Sequence, residues 1–354
     1  MICTKKSICK EKKMDFRSDT VTKPTEEMRR AMAEAVVGDD VYGEDPTVNR
    51  LEAIAAEILG KQDALFVTSG TQGNQVAVLT HCRPGDEVIL EAESHIFLYE
   101  GGASSALAGV QTRPIAGNRG AMDPMAVKKA IRGEDIHYPY SGLICLENTH
   151  NKSGGKIVPI ENMKAIYEYA SEKGVPVHLD GARLFNAAVA AGRPVTDFTQ
   201  YVDTVQICLS KGLSAPIGSI LAGSKSFIKE ARKWRKRLGG GLRQVGVIAA
   251  PGIIAIQEMV GRLAEDHAHA RMLAEGLSAI EGLYVDVQGV DTNIILCDIK
   301  GTGLSNEEFL DRLRQAGVLA GPFDDGVIRF VTHREITGEH VQQALVNISK
   351  ALKS

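Results

Sequence analysis

The stretch Val205-Gln-Ile-Cys-Leu-Ser-Lys-Gly-Leu-Ser214 decides how the rest of the chain is interpreted. Apolar residues alternate with Gln206 and Cys208, a pattern that predicts a short, mostly buried β-strand. The strand runs into Ser210-Lys-Gly212, which has the composition of a turn. Burying an unpaired lysine charge there costs several kcal/mol. Lys211 avoids that cost either by extending its ammonium to solvent or by being bound covalently as a Schiff base.

Predicted strands and helices alternate over most of the chain. Strands are expected near residues 64–67, 87–90, 110–115, 142–146, 175–179, 205–209 and 217–222. The segments between them are predicted to be helical, with one helix expected at about 96–107. Because strands separated by helices form βαβ units, the alternation predicts an α/β fold with a mostly parallel central sheet.

The pattern changes after Gly239-Gly-Gly241. A long bridging helix is expected at about 249–280, then strands at 283–287, 293–298 and 327–331 and helices at 306–315 and 337–352. This composition predicts a small α+β domain. The segment from Asp15 to Thr25 is polar, so we expect an arm rather than a core element. We therefore predict an extension and arm over residues 1–24, a large domain over 25–250 and a small domain over 251–354.

Composition excludes several classes of protein. The 354 residues carry a formal net charge of −3, so we expect neither a nucleic-acid nor an anionic-membrane partner. Met1 to Lys13 lacks the apolar run of a secretory signal, and Met14 is a candidate for the original start. The six cysteines, which show no CxxC spacing, predict free thiols in the cytoplasm and neither disulfides nor a metal site. They are Cys3, Cys9, Cys82, Cys145, Cys208 and Cys297.

Polar residues follow several of the predicted strands, at the edge where parallel sheets bind ligands. Ser69-Gly-Thr71 opens a helix after the first strand. The backbone N–H groups of a helix start, two hydroxyls and a glycine suit a phosphate, although a simple capped helix has the same residues. His95 and the segment Glu147-Asn-Thr-His150 follow two further strands. No Walker A loop or GxGxxG motif is present, which disfavours nucleotide and nicotinamide cofactors.

Asp180 follows the apolar strand that precedes the Lys211 strand. A carboxylate at a buried strand end needs a cationic partner, unless it only caps the next helix. The pyridinium nitrogen of pyridoxal 5'-phosphate (PLP) is such a partner, and PLP also carries a phosphate and an aldehyde that reacts with lysine. Arg329 lies on an apolar strand of the small domain, where its guanidinium suits either a substrate carboxylate or a structural salt bridge.

Seven spaced motifs carry a resemblance to one enzyme family. They are Phe16-Arg-Ser-Asp-Thr-Val-Thr22, Asp39-Asp-Val-Tyr-Gly-Glu-Asp-Pro46, Ser69-Gly-Thr71, Leu146-Glu-Asn-Thr-His150, Asp180-Gly-Ala-Arg183, Ser210-Lys-Gly212 and Gly239-Gly-Gly-Leu-Arg-Gln244. From about Met14 onward the chain resembles the low-specificity L-threonine aldolases, fold-type-I PLP enzymes of the aspartate aminotransferase superfamily. The resemblance implies cleavage of L-threonine and L-allo-threonine to glycine and acetaldehyde. It also implies homotetramers, assembled as dimers of dimers, with sites between subunits.

The resemblance implies a set of cofactor-binding residues. Lys211 matches the Schiff-base lysine, and Asp180 matches the partner of the pyridine nitrogen. His95 matches a histidine that stacks on the ring and assists proton transfer. Ser69-Gly-Thr71 falls in the phosphate loop, where we favour Gly70 and Thr71. Arg243 matches a phosphate-binding arginine that a neighbouring chain could supply.

The resemblance also implies substrate contacts. Ser18, Arg183 and Arg329 match the residues that bind the substrate carboxylate. His137 matches a histidine near the substrate hydroxyl, and Tyr42 matches a residue that enters the site from a partner subunit. Carboxylate anchoring would set the torsion that aligns the Cα–Cβ bond for retro-aldol cleavage.

One position departs from the family pattern, and three other functions stay open. Gly73 stands where alanine is expected, which should slightly loosen the phosphate-binding helix. Within the superfamily, an aminotransferase or a β-eliminating lyase is the alternative, and the loops at 39–46 and 147–150 argue against it. A non-catalytic PLP-binding protein would leave the carboxylate-binding arginines without a role.

Overall fold

The computed structural model describes residues 14–353. The predicted N-terminal extension, with Cys3 and Cys9, lies outside the described residues. The strands are β1 Met14–Asp15, β2 Asp63–Val67, β3 Glu87–Glu91, β4 Gln111–Ile115, β5 Gly117–Asn118, β6 Ala121–Met122, β7 Ser141–Glu147, β8 Val177–Gly181, β9 Thr204–Cys208, β10 Ser219–Gly223, β11 Ile294–Asp298, β12 Val318–Leu319, β13 Gly321–Asp324 and β14 Val327–Val331.

The helices lie between and after these strands. They are α1 Glu26–Glu34, α2 Pro46–Ile58, α3 Gly70–His81, α4 His95–Leu98, α5 Ala103–Ala108, α6 Pro124–Ala130, α7 Ile160–Glu172, α8 Leu184–Ala191, α9 Thr196–Thr199, α10 Lys225–Arg237, α11 Gly246–Glu258, α12 Leu263–Ser278, α13 Asn306–Gln315 and α14 Gly338–Lys353. Within residues 14–353 no single helix is long and apolar enough to cross a membrane, and α11 and α12 reach the required length and hydropathy only as a bent pair.

Seven strands form the central sheet in the order β2-β10-β9-β8-β7-β3-β4. Only β10 runs antiparallel to its neighbours, so the predicted α/β class with a mostly parallel sheet is confirmed. Strands such as β8 and β9 are buried along their whole length, as expected for a sheet covered by helices on both faces. The register aligns Glu147, Asp180 and Gln206 across β7, β8 and β9, which brings the ends of these strands together.

A second core contains Met14, Phe16 and residues from 270–348. β11, β14 and β13 form its antiparallel sheet. The polar arm contributes to this core, contrary to expectation, because β1 pairs with β12 and Phe16 is fully buried. The Phe16 ring packs edge-on against Phe330 with the ring centroids 6.2 Å apart. The proposed division of the chain at residue 250 stays a prediction.

Three predicted elements were wrong, each for a local reason. The helix expected at 249–280 is two helices that meet at 71°, with Gly261 in the break. The helix expected at 96–107 is split into α4 and α5 by Gly101 and Gly102, both in the left-handed conformation. In the segment 283–287, buried and exposed residues alternate as predicted, but only Tyr284 pairs with another strand, through an isolated bridge to Asp298. The alternation therefore reflects burial of one face and not a strand.

Candidate active site

The ends of β8 and β9 bring Asp180 and Lys211 to the same edge of the sheet. Asp180 is paired with Gln206 in the register of these neighbouring strands, and Lys211 follows the end of β9 by three residues. The hydroxyl of Thr22 donates to the Lys211 carbonyl at 2.8 Å, which fixes the backbone of the turn. Among residues 14–353 the Lys211 amine has no hydrogen-bond or ion-pair partner, so it is available for covalent attachment.

His95 lies beside two buried carboxylates. Its Nδ1 is 3.1 Å from Glu100 Oε1 and 4.0 Å from Asp180 Oδ2. Burial alone would lower the pKa of His95, but the hydrogen bond to Glu100 and the nearby charges of Asp180 and Glu147 raise it. Because Nδ1 faces the carboxylates, the other ring nitrogen is the one that can exchange a proton with a ligand.

Asn74 on α3 donates hydrogen bonds to the carboxylates of both Glu100 and Asp180. Its Nδ2 lies 2.8 Å from Glu100 Oε1 and 2.8 Å from Asp180 Oδ2, so both amide protons are donated. Its Oδ1 therefore accepts from His178 Nε2 at 3.1 Å, which makes His178 Nδ1 the acceptor for the Thr204 hydroxyl. Burial lowers the pKa of His178 to about 4, so the neutral ring that this arrangement requires is the stable form. The network fixes the direction in which Asp180 points.

The helix α3 begins at the phosphate-loop residues. Ser69 caps it by accepting from Gln72 N at 3.1 Å, while the N–H groups of Gly70 and Thr71 have no acceptor among the described residues. A Cβ at Gly70 would lie 2.9 Å from Cys208 Sγ and 3.0 Å from Gln206 Nε2. Two free N–H groups at a helix N-terminus form an anion site, and the glycine lets the helix start pack closely on β9.

Gly73 is required by tertiary packing, which the sequence did not indicate. A Cβ at this position would lie 2.7 Å from Gln206 Cγ and 3.4 Å from Val67 Cγ2. Alanine favours a helix by ~1 kcal/mol, but an overpacked core residue costs ~1–3 kcal/mol. We expect Gly73→Ala to lower the free energy of unfolding by about 1 kcal/mol in urea titrations, and to raise it in a Gln206→Ala background. Stabilisation by Gly73→Ala in the unmodified chain would contradict this.

Arg183 and Asp19 form a buried ion pair. Arg183 Nε and Nη2 donate to the two Asp19 oxygens at 2.8 and 2.7 Å, and Asn293 Nδ2 donates to Asp19 at 3.2 Å. Burial alone would raise the pKa of Asp19, but Arg183 and the charge of Lys211 hold it well below its usual range. Arg183 Nη1 has no partner among the described residues and is free to donate a hydrogen bond to a ligand. Ser18 lies next to this pair and caps the short helix Asp19–Val21.

Arg329 supplies a second guanidinium near Arg183. Its Nη1 donates to Asn151 Oδ1 at 3.1 Å and its Nη2 to the Arg17 carbonyl at 3.4 Å. Its buried Nε has no partner in the described part of the chain. Burial and the charge of Arg183 lower the pKa of Arg329, which remains a cation at neutral pH because an arginine titrates far above it. Two adjacent cations with unsatisfied donors form a site for a carboxylate.

Three predicted site residues lie outside this cluster in the single chain. His137 is 78% exposed and pairs with Asp135 at 2.7 Å. Tyr42 is 76% exposed, and Arg243 is 57% exposed and donates to Asp39 at 2.9 Å. The structure of one chain therefore brings together Ser18, Ser69, Gly70, Thr71, His95, Asp180, Arg183, Lys211 and Arg329 and leaves these three on its surface.

Comparisons with known proteins show the family to which this chain belongs. A profile of the beta-eliminating lyase family matches residues 15–300. The chain is 49% identical over 346 residues to "Probable low-specificity L-threonine aldolase 2" of Arabidopsis thaliana, covering 96% of this chain and 98% of the relative. It is 42% identical over 331 residues to the low specificity L-threonine aldolase of Escherichia coli K12, covering 93% and 96%. The chain belongs to the low-specificity L-threonine aldolase family.

A solved threonine aldolase structure has the same fold. The threonine aldolase of Leishmania major superposes with a TM-score of 0.80 at 21% identity, covering 96% of this chain and 99% of that one. The predicted lyase class and the predicted cofactor, PLP, are confirmed by the family assignment. The cluster fits PLP: Asp180 suits the ring nitrogen, the free N–H groups of α3 suit the phosphate, and the unpaired Lys211 amine suits the aldehyde.

The sequence analysis missed several residues of this threonine aldolase site. Asp19, Asn74, Glu100 and Asn151 each bind a predicted site residue, and Asn293 binds Asp19. Asp19 lies within a quoted motif, and Asn74 lies one helical turn after Gly70, which places it on the same face of α3. The roles of Glu100 and Asn293 depend on contacts between distant segments, and no local pattern marks them.

Proposed function

We propose that Lys211 tethers PLP in this chain and that the surrounding residues carry out retro-aldol cleavage of L-threonine and L-allo-threonine. The products are glycine and acetaldehyde, and other L-β-hydroxy-α-amino acids would give glycine and the matching aldehyde. The observation that carries the proposal is the unpaired Lys211 amine at the strand end beside buried Asp180. The relatives that are 42–49% identical and named threonine aldolases support the same reaction.

The residues of the cluster divide the chemical work. When bound, PLP supplies an aldehyde that reacts with amines and a ring that takes up negative charge from the substrate. Asp180 keeps a proton at the ring nitrogen, because its fixed carboxylate favours the charged pyridinium form. Arg329 and the free Nη1 of Arg183 bind the substrate carboxylate and fix the orientation of the bond to be cleaved. Ser18 adds a hydroxyl at the same place.

His95 takes the β-hydroxyl proton, directly or through one water. Only the neutral ring can do so, and Glu100 raises the pKa of His95 above its ordinary value of 6.5. We therefore expect kcat/KM for threonine to fall as the pH drops through a midpoint above 6.5. Glu100→Gln should move that midpoint to lower pH, and His95→Asn should abolish the limb. An unchanged midpoint in Glu100→Gln would contradict the role of this pair.

Product analysis distinguishes this reaction from the others open to the fold. The purified protein with PLP and L-threonine is expected to release equal amounts of acetaldehyde and glycine, measured by coupled alcohol dehydrogenase and by chromatography. A keto acid would instead indicate transamination or β-elimination, the chemistry for which the matched family is named. The absence of any turnover would support a binding protein.

We propose that a second copy of the chain completes the site by supplying Tyr42 and Arg243, and that His137 also acts in the assembled enzyme. The exposed apolar side chains Val36, Val41 and Tyr42, with Ile136, Tyr138 and Tyr140, are surfaces suited to subunit contacts. A homotetramer of two dimers fits these two surfaces and would give a mass near four chains in light scattering. Mixing inactive Lys211→Ala and Arg243→Ala chains should restore activity, since hybrid sites contain both residues. No recovery would mean that Arg243 acts within its own chain.

The cytoplasm is the proposed location. Support comes from the four cysteines among residues 14–353, Cys82, Cys145, Cys208 and Cys297, which are free and buried. Burial raises the pKa of both Cys82 and Cys297 to about 12, so their thiols stay protonated and unreactive. Subcellular fractionation with an antibody to this chain tests the location directly.

A further inference from the structure

Glu147 ends β7, and both of its carboxylate oxygens accept hydrogen bonds from backbone N–H groups. The residue is 5% exposed. Its Oε2 accepts from the backbone N–H of His95 at 2.6 Å, and its Oε1 accepts from the backbone N–H of Asn151 at 2.8 Å. One carboxylate therefore bridges the start of α4 and the loop after β7. The reaction described above gives Glu147 no task.

Each of the two bridged segments carries a residue of the site. His95 begins α4 and presents its ring beside Glu100 and Asp180. Asn151 carries its side-chain oxygen to Arg329 Nη1 at 3.1 Å, across the boundary between the two cores. The backbone position at the start of α4 therefore fixes where the His95 ring lies. The backbone position of the loop after β7 fixes where Asn151 holds the Arg329 guanidinium.

We propose that Glu147 is a positioning residue that fixes the His95 ring and the Arg329 guanidinium relative to each other. The inference rests on the proposed roles of His95 and Arg329. A retro-aldol reaction needs both at once, because the base must reach the hydroxyl while the carboxylate is held in one orientation. Because Glu147 holds both segments, one side chain fixes the position of the base and the position of the carboxylate-binding arginine together.

The two hydrogen bonds of Glu147 support this role. Two N–H donors prefer a carboxylate, since an amide could accept from only one of them. Burial and Asp180 raise the pKa of Glu147, and His150 opposes this shift. His150 Nε2 lies 2.9 Å from Glu91, whose carboxylate helps to raise the pKa of this histidine despite burial.

Two variants separate the two connections that Glu147 makes, one to the backbone of His95 (the histidine branch) and one to the backbone of Asn151, whose side chain contacts Arg329 (the arginine branch). Glu147→Gln keeps the shape but sets an amide N–H₂ against one backbone N–H, so both branches lose their alignment. A hydrogen bond to a charged group is worth a ~10–100-fold change, so we expect kcat/KM for threonine to fall by about that factor. The apparent Kd for glycine, followed by the visible spectrum of the PLP enzyme, should rise by ~10-fold. Asn151→Ala removes only the arginine branch.

The pattern across variants tests the proposal on the PLP-loaded enzyme. Asn151→Ala should raise KM and the glycine Kd while kcat and the circular dichroism of the cofactor band stay within about twofold. Glu147→Gln should lower kcat and change that band as well. Glu93→Gln makes the same chemical change on an exposed side chain two residues before His95 and should alter none of these.

The outcomes also separate this inference from the assigned reaction. If the parent enzyme cleaves threonine and Glu147→Gln matches it within twofold in kcat, KM and glycine Kd, the anchor proposal is wrong and the reaction stands. The same holds if Asn151→Ala lowers kcat as much as Glu147→Gln does. If the parent neither binds glycine nor cleaves threonine, the reaction itself is wrong. Thermal unfolding of each variant shows whether a loss comes from misfolding.

Discussion

Lys211→Ala is expected to abolish the visible absorbance of bound PLP and threonine cleavage together. The Lys211 amine follows the end of β9 and can form a covalent bond to the aldehyde, and among residues 14–353 it has no structural partner to explain its presence otherwise. Removing a covalent catalytic group lowers kcat on the order of 10³-fold or more. Absorbance after gel filtration and acetaldehyde release measure the two effects on one sample.

Lys61→Met provides the matched control for this variant. The Lys61 amine donates to the carbonyls of Thr199 and Val202 at 2.8 and 2.5 Å, so its role is structural. Burial lowers the pKa of this lysine, as it would for any partly buried amine. We expect Lys61→Met to reduce stability and to keep the cofactor band. A fully active Lys211→Ala enzyme would refute the assignment of the tethering lysine.

Asp180→Asn is expected to lower kcat for threonine by about 10²–10³-fold while PLP remains attached to Lys211. The variant removes the fixed negative charge that keeps a proton on the ring nitrogen, an electrostatic effect of the size seen when one preorganised group is lost. In the unmodified protein the N–H₂ group of Asn74 donates to Asp180 Oδ2 at 2.8 Å, and in the variant it can face the N–H₂ group of the new amide instead. Steady-state rates and the visible spectrum test the prediction together.

A control at the opposite end of the same strand separates catalysis from stability. Asp203 accepts from the backbone N–H of Val177, the first residue of β8, at 2.7 Å. Asp203→Asn makes the same chemical change away from the site and should affect unfolding more than kcat. A kcat for Asp180→Asn within about fivefold of the parent would show that the charge at this position does not drive the reaction.

The parts of the site that the sequence predicted are those that a strand end defines. Asp180 and Lys211 follow apolar runs whose period marks where each strand stops, and parallel topology then places both at one edge. The start of α3, which is proposed to bind the phosphate, was predicted in the same way from Ser69-Gly-Thr71. Chain order and local pattern were sufficient for these residues, and the family resemblance assigned their chemistry.

The parts that could not be predicted depend on contacts between distant segments. Phe16 and Asp19 are brought to the core and to Arg183 by an arm whose composition indicates only polarity. The need for glycine at position 73 comes from the side chain of Gln206, which fills the space that a Cβ on α3 would occupy. Tyr42 and His137 are exposed in one chain, so their proposed roles rest on the proposed assembly, which neither composition nor periodicity describes.

Borohydride reduction of the PLP enzyme, followed by peptide mapping, tests the central claim most directly. The reagent converts a lysine–PLP linkage into a stable bond, so digestion and mass spectrometry identify the lysine that carried the cofactor. We expect one labelled peptide, containing Lys211, and loss of that label when the enzyme is saturated with glycine before reduction. Labelling of a different lysine, or no labelled peptide at all, would contradict the account.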